Sequence, residues 1–118
     1  DSNRPIYPQI MERLTMDIIS GTYPPGSKLP SVRELAQEAG VNPNTMQKSL
    51  SELERTGLLY SQRTSGRFIT EDLTMIEHTK NTVASEQVKE FLKKMEYIGF
   101  TKQATIQLIE QIEKEEQS

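Results

Sequence analysis

Polar side chains recur between residues 44 and 55 at the spacing of one helix face. If Met46, Leu50 and Leu53 turn inward, the opposite face carries Asn44, Gln47, Lys48, Ser51 and Arg55. None of the first four of these residues is acidic, and Glu52 and Glu54 lie later in the helix, toward the flanks of this face. Amides can pair with adenine through two hydrogen bonds, and lysine can reach guanine or phosphate. Most helices also have a plain solvated face, so the pattern alone leaves both interpretations open.

The distribution of charge identifies which half of the chain could meet a nucleic acid. The 118 residues carry a formal net charge of −3, which at first argues against such a partner. Residues 1–70 nevertheless have a net charge of +1 and contain every arginine, whereas residues 71–118 have a net charge of −4. Because arginine pairs well with phosphate and guanine, the first part is the candidate nucleic-acid face.

Two short helices are predicted to position this polar face. Ser31 and Glu34 have the capping-box spacing that begins a helix, and Gly40 can end it. The residues that this helix should bury are Val32, Leu35, Ala36 and Ala39. Asn42 then suits the N-cap and Pro43 the first position of the next helix. Two helices joined by such a short turn are typical of a helix-turn-helix.

A longer helix precedes this motif and a β-hairpin follows it. Apolar residues from Ile6 to Ile18 fall on one helical stripe that Gly21 can end. Residues 58–60 and 67–70 are β-prone, and residues 64–66 can turn. The hairpin tip carries Arg63 and Arg67, which predicts the wing of a winged helix. Such arginines can enter the minor groove or brace the backbone, or they can simply solubilise an edge.

Further cations lie before the polar helix. Arg33 falls in the first turn of the preceding helix, where it would suit a phosphate or an adjacent base. The alternative for Arg33 is a surface salt bridge with Glu34 or Glu38. Lys28 is expected to contact phosphate at most.

Beyond residue 70 the apolar pattern is again helical. Either the helix that begins here breaks near Ser85, or its first half packs on the winged domain and its second half elsewhere; we favour one long helix, with room for a kink. Thr101 can cap a last helix. The predicted fold is therefore mainly α with a small β-hairpin wing: a winged helix-turn-helix at 1–72 and a two-helix dimerisation segment at 73–118.

The C-terminal segment has more apolar surface than two helices can hide. The residues concerned are Val88, Phe91, Leu92, Met95, Ile98 and Ile106. Full burial of each large side chain would contribute roughly 1.5–3 kcal/mol. Pairing with a second copy would cover them, which predicts a symmetric homodimer.

Other chemistries find little support. The chain has no cysteine, and one histidine, His78, beside Glu77 does not make a metal site. No nucleophile–base pair, phosphate loop or dinucleotide fingerprint is present, so we expect no enzyme activity, no cofactor and no metal. No apolar run approaches 18 residues and no leader begins the sequence, which favours the cytoplasm.

Several motifs closely resemble those of the GntR family of bacterial regulators. They are PIY at 5–7, GTYPPGSKLPSVRELA at 21–36, GVNPNT at 40–45, and Glu52-Leu53-Glu54 followed by Gly57. The resemblance implies a winged helix-turn-helix that acts as a homodimer on palindromic operators, usually as a repressor. Because only 48 residues follow Thr70, the chain is similar to the YtrA-type subfamily, which often controls ABC-transporter operons.

The resemblance also implies roles for individual residues. Arg33 matches the family's arginine, and Gly66 matches the glycine at the wing tip. Some members have arginine at the position of Gln47, so base preference does not transfer. The wing commonly reads Gly-x-Gly, whereas this chain has Thr64 at the first place, which would give a stiffer or differently shaped tip. The complete predicted DNA-contact set is Lys28, Ser31, Arg33, Asn44, Thr45, Gln47, Lys48, Ser51, Arg63, Gly66 and Arg67.

Two alternatives to a DNA-binding repressor stay open. One is a winged-helix module that binds a protein, which would lack salt-dependent affinity for an operator-like palindrome. The other is a sensor whose C-terminal helices bind a small-molecule effector. No cluster of convergent polar groups appears in that segment, which argues against an enclosed pocket there and leaves a site at the dimer interface open.

Overall fold

The computed structural model describes residues 6–118 and confirms the predicted fold class. Arg4 and Pro5, which contribute to the sequence patterns above, lie outside the described residues. The elements are α1 (Ile6–Ile19), α2 (Val32–Ala39), α3 (Pro43–Thr56), β1 (Leu59–Gln62), β2 (Gly66–Ile69), α4 (Leu73–Tyr97) and α5 (Lys102–Glu116). Two compact units arise from the contacts within the chain, one ending at Thr79 and the other comprising Lys80–Ser118. The boundary predicted from the sequence falls after residue 72, at the start of α4.

Local side-chain hydrogen bonds set the starts of α2 and α3. Ser31 Oγ accepts from the Glu34 backbone N–H at 3.1 Å, and the Ser31 N–H donates to Glu34 Oε1 at 3.4 Å. Asn42 Oδ1 accepts from the Asn44 N–H at 2.7 Å, and Pro43 occupies the first turn. These bonds satisfy N–H groups that a helix leaves without intrahelical partners. Both predicted helix starts are therefore confirmed.

The hairpin is a two-stranded antiparallel sheet that also anchors the loop before α2. Tyr60 pairs with Phe68, and their rings stack with centroids 5.7 Å apart. The Leu29 N–H donates to the Arg67 carbonyl at 2.9 Å, and the Ile69 N–H donates to the Ser27 carbonyl at 2.9 Å. The loop that leads into α2 is thus held alongside β2.

One apolar core joins α1, α2, α3 and the hairpin. Its buried members include Leu14, Leu35, Met46, Leu53 and Ile69.

The prediction that Ala39 is buried was wrong. Ala39 is the last residue of α2, and its side chain is exposed. It borders an open groove of about 390 Å³, so no neighbouring element covers it. The walls of this groove come from α1, α2 and the start of α3.

The long-helix interpretation of the region after residue 70 is confirmed. The α-helix continues from Leu73 to Tyr97 without a break at Ser85. At its start, Ile76 is buried in the core and Met75 packs against it. The last helix begins after Thr101, whose Oγ1 accepts from the Ala104 N–H at 3.0 Å. Within residues 6–118, no helix combines the length and apolar content needed to cross a membrane.

Candidate nucleic-acid interface

Helix α3 presents the polar face that the sequence predicts. Met46, Leu50 and Leu53 are at most 2% exposed. The other side of the helix points outward: Asn44, Gln47 and Lys48 are exposed, and Thr45 and Ser51 are partly so. Ser49 is also buried, and its hydroxyl donates to the Thr45 carbonyl at 3.0 Å.

The N-terminal end of α3 is electrostatically suited to an anion. Its first turn contains no acidic residue, and Asn42 caps only one of the N–H groups at this end. The helix dipole places partial positive charge there, which favours a phosphate group. At the other end of α3, Arg55 pairs with Glu52 at 3.0 Å, so its charge is locally offset.

Arg33 remains available for an external partner. It lies in the first turn of α2 and is exposed, and within residues 6–118 it makes no ion pair with Glu34 or Glu38. Glu34 instead closes the capping box with Ser31. The salt-bridge alternative for Arg33 is therefore absent from the described part of the chain.

An open cleft brings the start of α2 next to the wing. Lys28, Ser31, Gly66 and Arg67 all line it. Gly66 has φ +107°, and a Cβ built on it would lie 3.1 Å from Lys28 Cε. A side chain at this position would be strained and would crowd the lysine stem, so glycine keeps the cleft open beside Lys28.

Arg67 differs from the exposed wing cation that the sequence suggests. Its Nε donates to Glu54 Oε1 at 2.6 Å, and its side chain is only 17% exposed. The same Glu54 oxygen accepts from Ser61 Oγ at 2.7 Å. These hydrogen bonds, the one from Ser61 foremost, hold the pKa of the Glu54 carboxyl below its ordinary value. Arg63, by contrast, is exposed and makes no ion pair within the described residues.

The role of Glu54 was not predicted from the sequence. The helical pattern placed Glu54 on a helix flank without a partner, whereas Glu54 accepts hydrogen bonds from both strands of the hairpin. A signal for this contact exists in the hairpin register, because Ser61 and Arg67 are cross-strand partners and their side chains therefore share one face of the sheet.

Lys48 is held from outside α3. Its ammonium nitrogen lies 4.9 Å from the centroid of the Tyr7 ring on α1. At this distance a lysine is attracted to the negative face of the ring. The contact restrains the direction of the side chain and leaves its charge exposed at the surface of α3.

The apolar residues assigned to dimerisation are largely uncovered in the single chain. Val88 is 55% exposed, Phe91 43%, Ile98 64% and Ile106 37%, while Leu92 and Met95 are partly buried. The second unit exposes further large apolar side chains that the prediction did not include: Tyr97, Phe100, Ile109 and Ile112. Among residues 6–118, no group of three or more His, Asp or Glu residues could hold a metal ion.

The first unit combines the helices α1, α2 and α3 with a hairpin wing. Helix α3, the second helix of the helix-turn-helix, is capped and faces outward. This arrangement defines a winged helix-turn-helix protein. The family described as "Bacterial regulatory proteins, gntR family" matches residues 6–69. The chain belongs to the GntR family and is a DNA-binding transcriptional regulator of that type.

Relatives match beyond the winged domain. The uncharacterised regulator YhcF of Bacillus subtilis is 38% identical over 106 residues, which cover 90% of this chain and 88% of YhcF. The transcriptional repressor YtrA of the same organism is 40% identical over 99 residues, which cover 83% of this chain and 76% of YtrA. The predicted resemblance to YtrA is thus confirmed. Both relatives are named as transcriptional regulators, in agreement with a non-enzymatic role.

Solved structures agree with this assignment. A GntR-family regulator from Listeria monocytogenes is 39% identical, has a TM-score of 0.86, and is matched over 94% of this chain and 97% of its own. The DNA-binding domain of AraR in complex with operator ORX1 is 36% identical, has a TM-score of 0.54, and is matched over 57% of this chain and 81% of its own.

Proposed function

We propose that this protein is a homodimeric repressor that binds a palindromic operator through α3 in the major groove. The observation that carries the proposal is the outward, acid-free face of α3 formed by Asn44, Gln47 and Lys48. Helix α2 and the turn of the hairpin each add one exposed cation, Arg33 and Arg63 respectively. Amide and cationic groups of this kind read base edges and anchor phosphates.

The start of α2 and the wing would hold the backbone on either side of the groove. Ser31 Oγ accepts the capping bond from Glu34, so its hydroxyl proton is free to donate to a phosphate oxygen. Lys28 and Gly66 line the same cleft. We assign the backbone contacts to these residues and the base contacts to the N-terminal turns of α3.

The dimer would form through the C-terminal unit. Val88, Phe91 and Ile98 are all more than 40% exposed in the single chain, and water would be removed from them if two copies paired. A two-fold dimer presents two identical reading heads, which a palindrome matches.

The relatives support a repressor. YtrA is named as a repressor, and the AraR DNA-binding domain binds operator DNA in its crystal structure. The similarity to YtrA favours a transporter-type operon as the target, and such a regulator would act in the bacterial cytoplasm.

Selection from random duplexes, followed by titration of the recovered sequence at several salt concentrations, tests the proposal. We expect a palindrome, two chains per duplex, and an affinity that falls steeply as salt rises because phosphate contacts release counterions. Recovery of no preferred sequence, or binding that salt does not weaken, would refute it. A winged-helix module for protein partners predicts the first of these outcomes, because it would select no operator sequence.

A further inference from the structure

We propose that Arg67 is a positioning residue that turns the amide of Gln47 and so sets which base edge α3 reads. The inference rests on the proposed function, because it concerns the same α3 surface. It assigns Arg67 to the selection of a base by way of Gln47, in place of the phosphate contact expected of a wing arginine.

Arg67 connects the wing to the predicted base-reading surface. Its Nε is fixed on Glu54 Oε1 at 2.6 Å, and its Nη1 lies 3.5 Å from Gln47 Oε1. The second distance is long for a hydrogen bond, so the contact contributes little to the stability of the fold and acts by drawing the amide oxygen of Gln47 toward the guanidinium charge.

The chemistry of the guanidinium decides which way the amide turns. An arginine side chain has only hydrogen-bond donors, whereas glutamine has one donor group and one acceptor. Only the amide oxygen of Gln47 can therefore face Arg67. The amide nitrogen Nε2 is then the group that is free to point toward a base.

Arg67 itself has little freedom to leave this position. Its side chain is 17% exposed, and its carbonyl accepts from the Leu29 N–H at 2.9 Å. Glu54 is held in turn by Ser61 Oγ at 2.7 Å. For Arg67 to swing away from Gln47, its charge-assisted bond to Glu54 would have to break.

A donor at Gln47 matches some bases better than others. In the major groove guanine presents two acceptors, O6 and N7, and thymine presents O4, whereas the acceptor of adenine, N7, lies beside the N6 amino group, a donor that repels the amide NH2 of Gln47. The two-bond pairing with adenine also needs the amide oxygen to accept from N6, and that oxygen is turned toward Arg67. Gln47 should therefore prefer guanine or thymine to adenine, which differs from the adenine pairing expected from residue type alone.

The test compares base preference among variants in duplex selection. The operator position read by Gln47 is the one at which base preference disappears in Gln47→Ala. At that position we expect the wild type to prefer guanine or thymine. In Glu54→Gln/Arg67→Met, which removes both charges together, the preference over adenine should fall by roughly fivefold or more. Adding the same pair of changes to Gln47→Ala should alter no base preference further.

The salt dependence separates this role from a phosphate contact. A positioning role predicts the same slope of log affinity against log salt in the variant and the wild type. A slope smaller by about one, with base preference unchanged, would mean that Arg67 binds phosphate and would overturn the inference.

Circular dichroism of each variant guards against misfolding. If the double variant loses helical content, Arg67→Lys keeps the charge but lacks the fork that holds both partners, and it should show the same loss of preference. A wild type that selects no sequence would refute the proposed function as well. A wild type that selects adenine at the operator position read by Gln47 would refute only the positioning role.

Discussion

Arg67 Nε donates to Glu54 Oε1 at 2.6 Å, and this ion pair connects the second strand of the wing to the C-terminal end of α3. The two residues are thirteen positions apart in the chain. Both side chains are less than one-third exposed, so solvent screens the pair less than it screens a surface ion pair. The wing and α3 should therefore move as one body.

The first prediction concerns the pH dependence of this pair. Hydrogen bonds from Ser61 and Arg67 lower the pKa of Glu54. A carboxyl whose pKa is lower in the folded than in the unfolded state stabilises the fold above its unfolded pKa, and this contribution is lost as pH falls through the folded value. We expect Glu54→Gln to lower the free energy of unfolding at pH 7. The difference from wild type should shrink as pH falls below about 4.3, the ordinary glutamate value.

Urea denaturation at a series of pH values measures this difference. Glu77→Gln, a change at an exposed residue of α4 that also removes one carboxylate, is the control for general charge effects. A difference that stays constant between pH 7 and about pH 3, below the ordinary glutamate pKa, would show that the ion pair contributes nothing.

The second prediction concerns the turn of the wing. Thr64 has φ +67°, and it is the only non-glycine residue with positive φ among the described residues. A β-branched side chain is strained in this left-handed conformation, whereas glycine adopts it freely. Thr64→Gly should therefore raise the free energy of unfolding by about 0.5–1 kcal/mol, after allowing for the greater freedom of glycine in the unfolded chain.

Ser65→Gly is the matched control for the turn. Ser65 is the next residue and does not have positive φ, so glycine there should give no gain and a small loss. Equal effects of the two changes in urea denaturation would argue that Thr64 is not strained.

The third prediction grades the DNA contacts. Arg33→Ala and Gln47→Ala should each weaken specific binding by about 1–3 kcal/mol, because Gln47 would lose a contact with a base and Arg33 a contact with a phosphate or an adjacent base. Lys28→Ala should weaken specific and non-specific DNA equally and lower the salt slope by about one. Competition binding with operator and random duplexes measures both effects. Lys102→Ala, which removes an exposed cation from the C-terminal unit, should change neither; uniform small effects from all four would mean that another face binds DNA.

The fourth prediction concerns assembly. Phe91→Asp places a charge on the exposed apolar face of the second unit, where burial of a charge without a partner is costly. We expect sedimentation at micromolar concentration to show a dimer for the wild type and a monomer for this variant, with dimerisation weakened at least about tenfold. Lys93→Asp introduces the same acidic side chain, with a larger change in net charge, at an exposed position on the polar side of α4 and should leave the dimer intact. A wild-type monomer would contradict the prediction outright.

Features encoded by neighbouring residues were predictable from the sequence. The capping box of Ser31 and Glu34, the Asn42 cap and the Thr101 cap all depend on residues two or three positions apart. Local hydrogen bonds of this kind leave a direct signature in the sequence. The outward face of α3 followed equally directly from its apolar spacing.

Features that depend on distant contacts were not predictable in the same way. Arg67 was predicted to contact DNA from the hairpin tip, and its ion pair was missed because its partner Glu54 lies on a different element. Ala39 had the periodicity of a buried residue but lies where α2 ends beside an open groove. In both cases the outcome was set by which element packs alongside, and no local pattern reports that.

The contact between Lys48 and Tyr7 has a consequence for how such a regulator can change its affinity. Tyr7 lies in the first turn of α1 and is not part of the α3 surface proposed to read DNA. Its ring nevertheless restrains the direction in which the Lys48 charge projects. Replacing that ring with an aliphatic side chain would release the ammonium without altering any residue of the reading helix. The affinity for an operator would thus be adjustable from α1, which lies outside the helix proposed to read DNA.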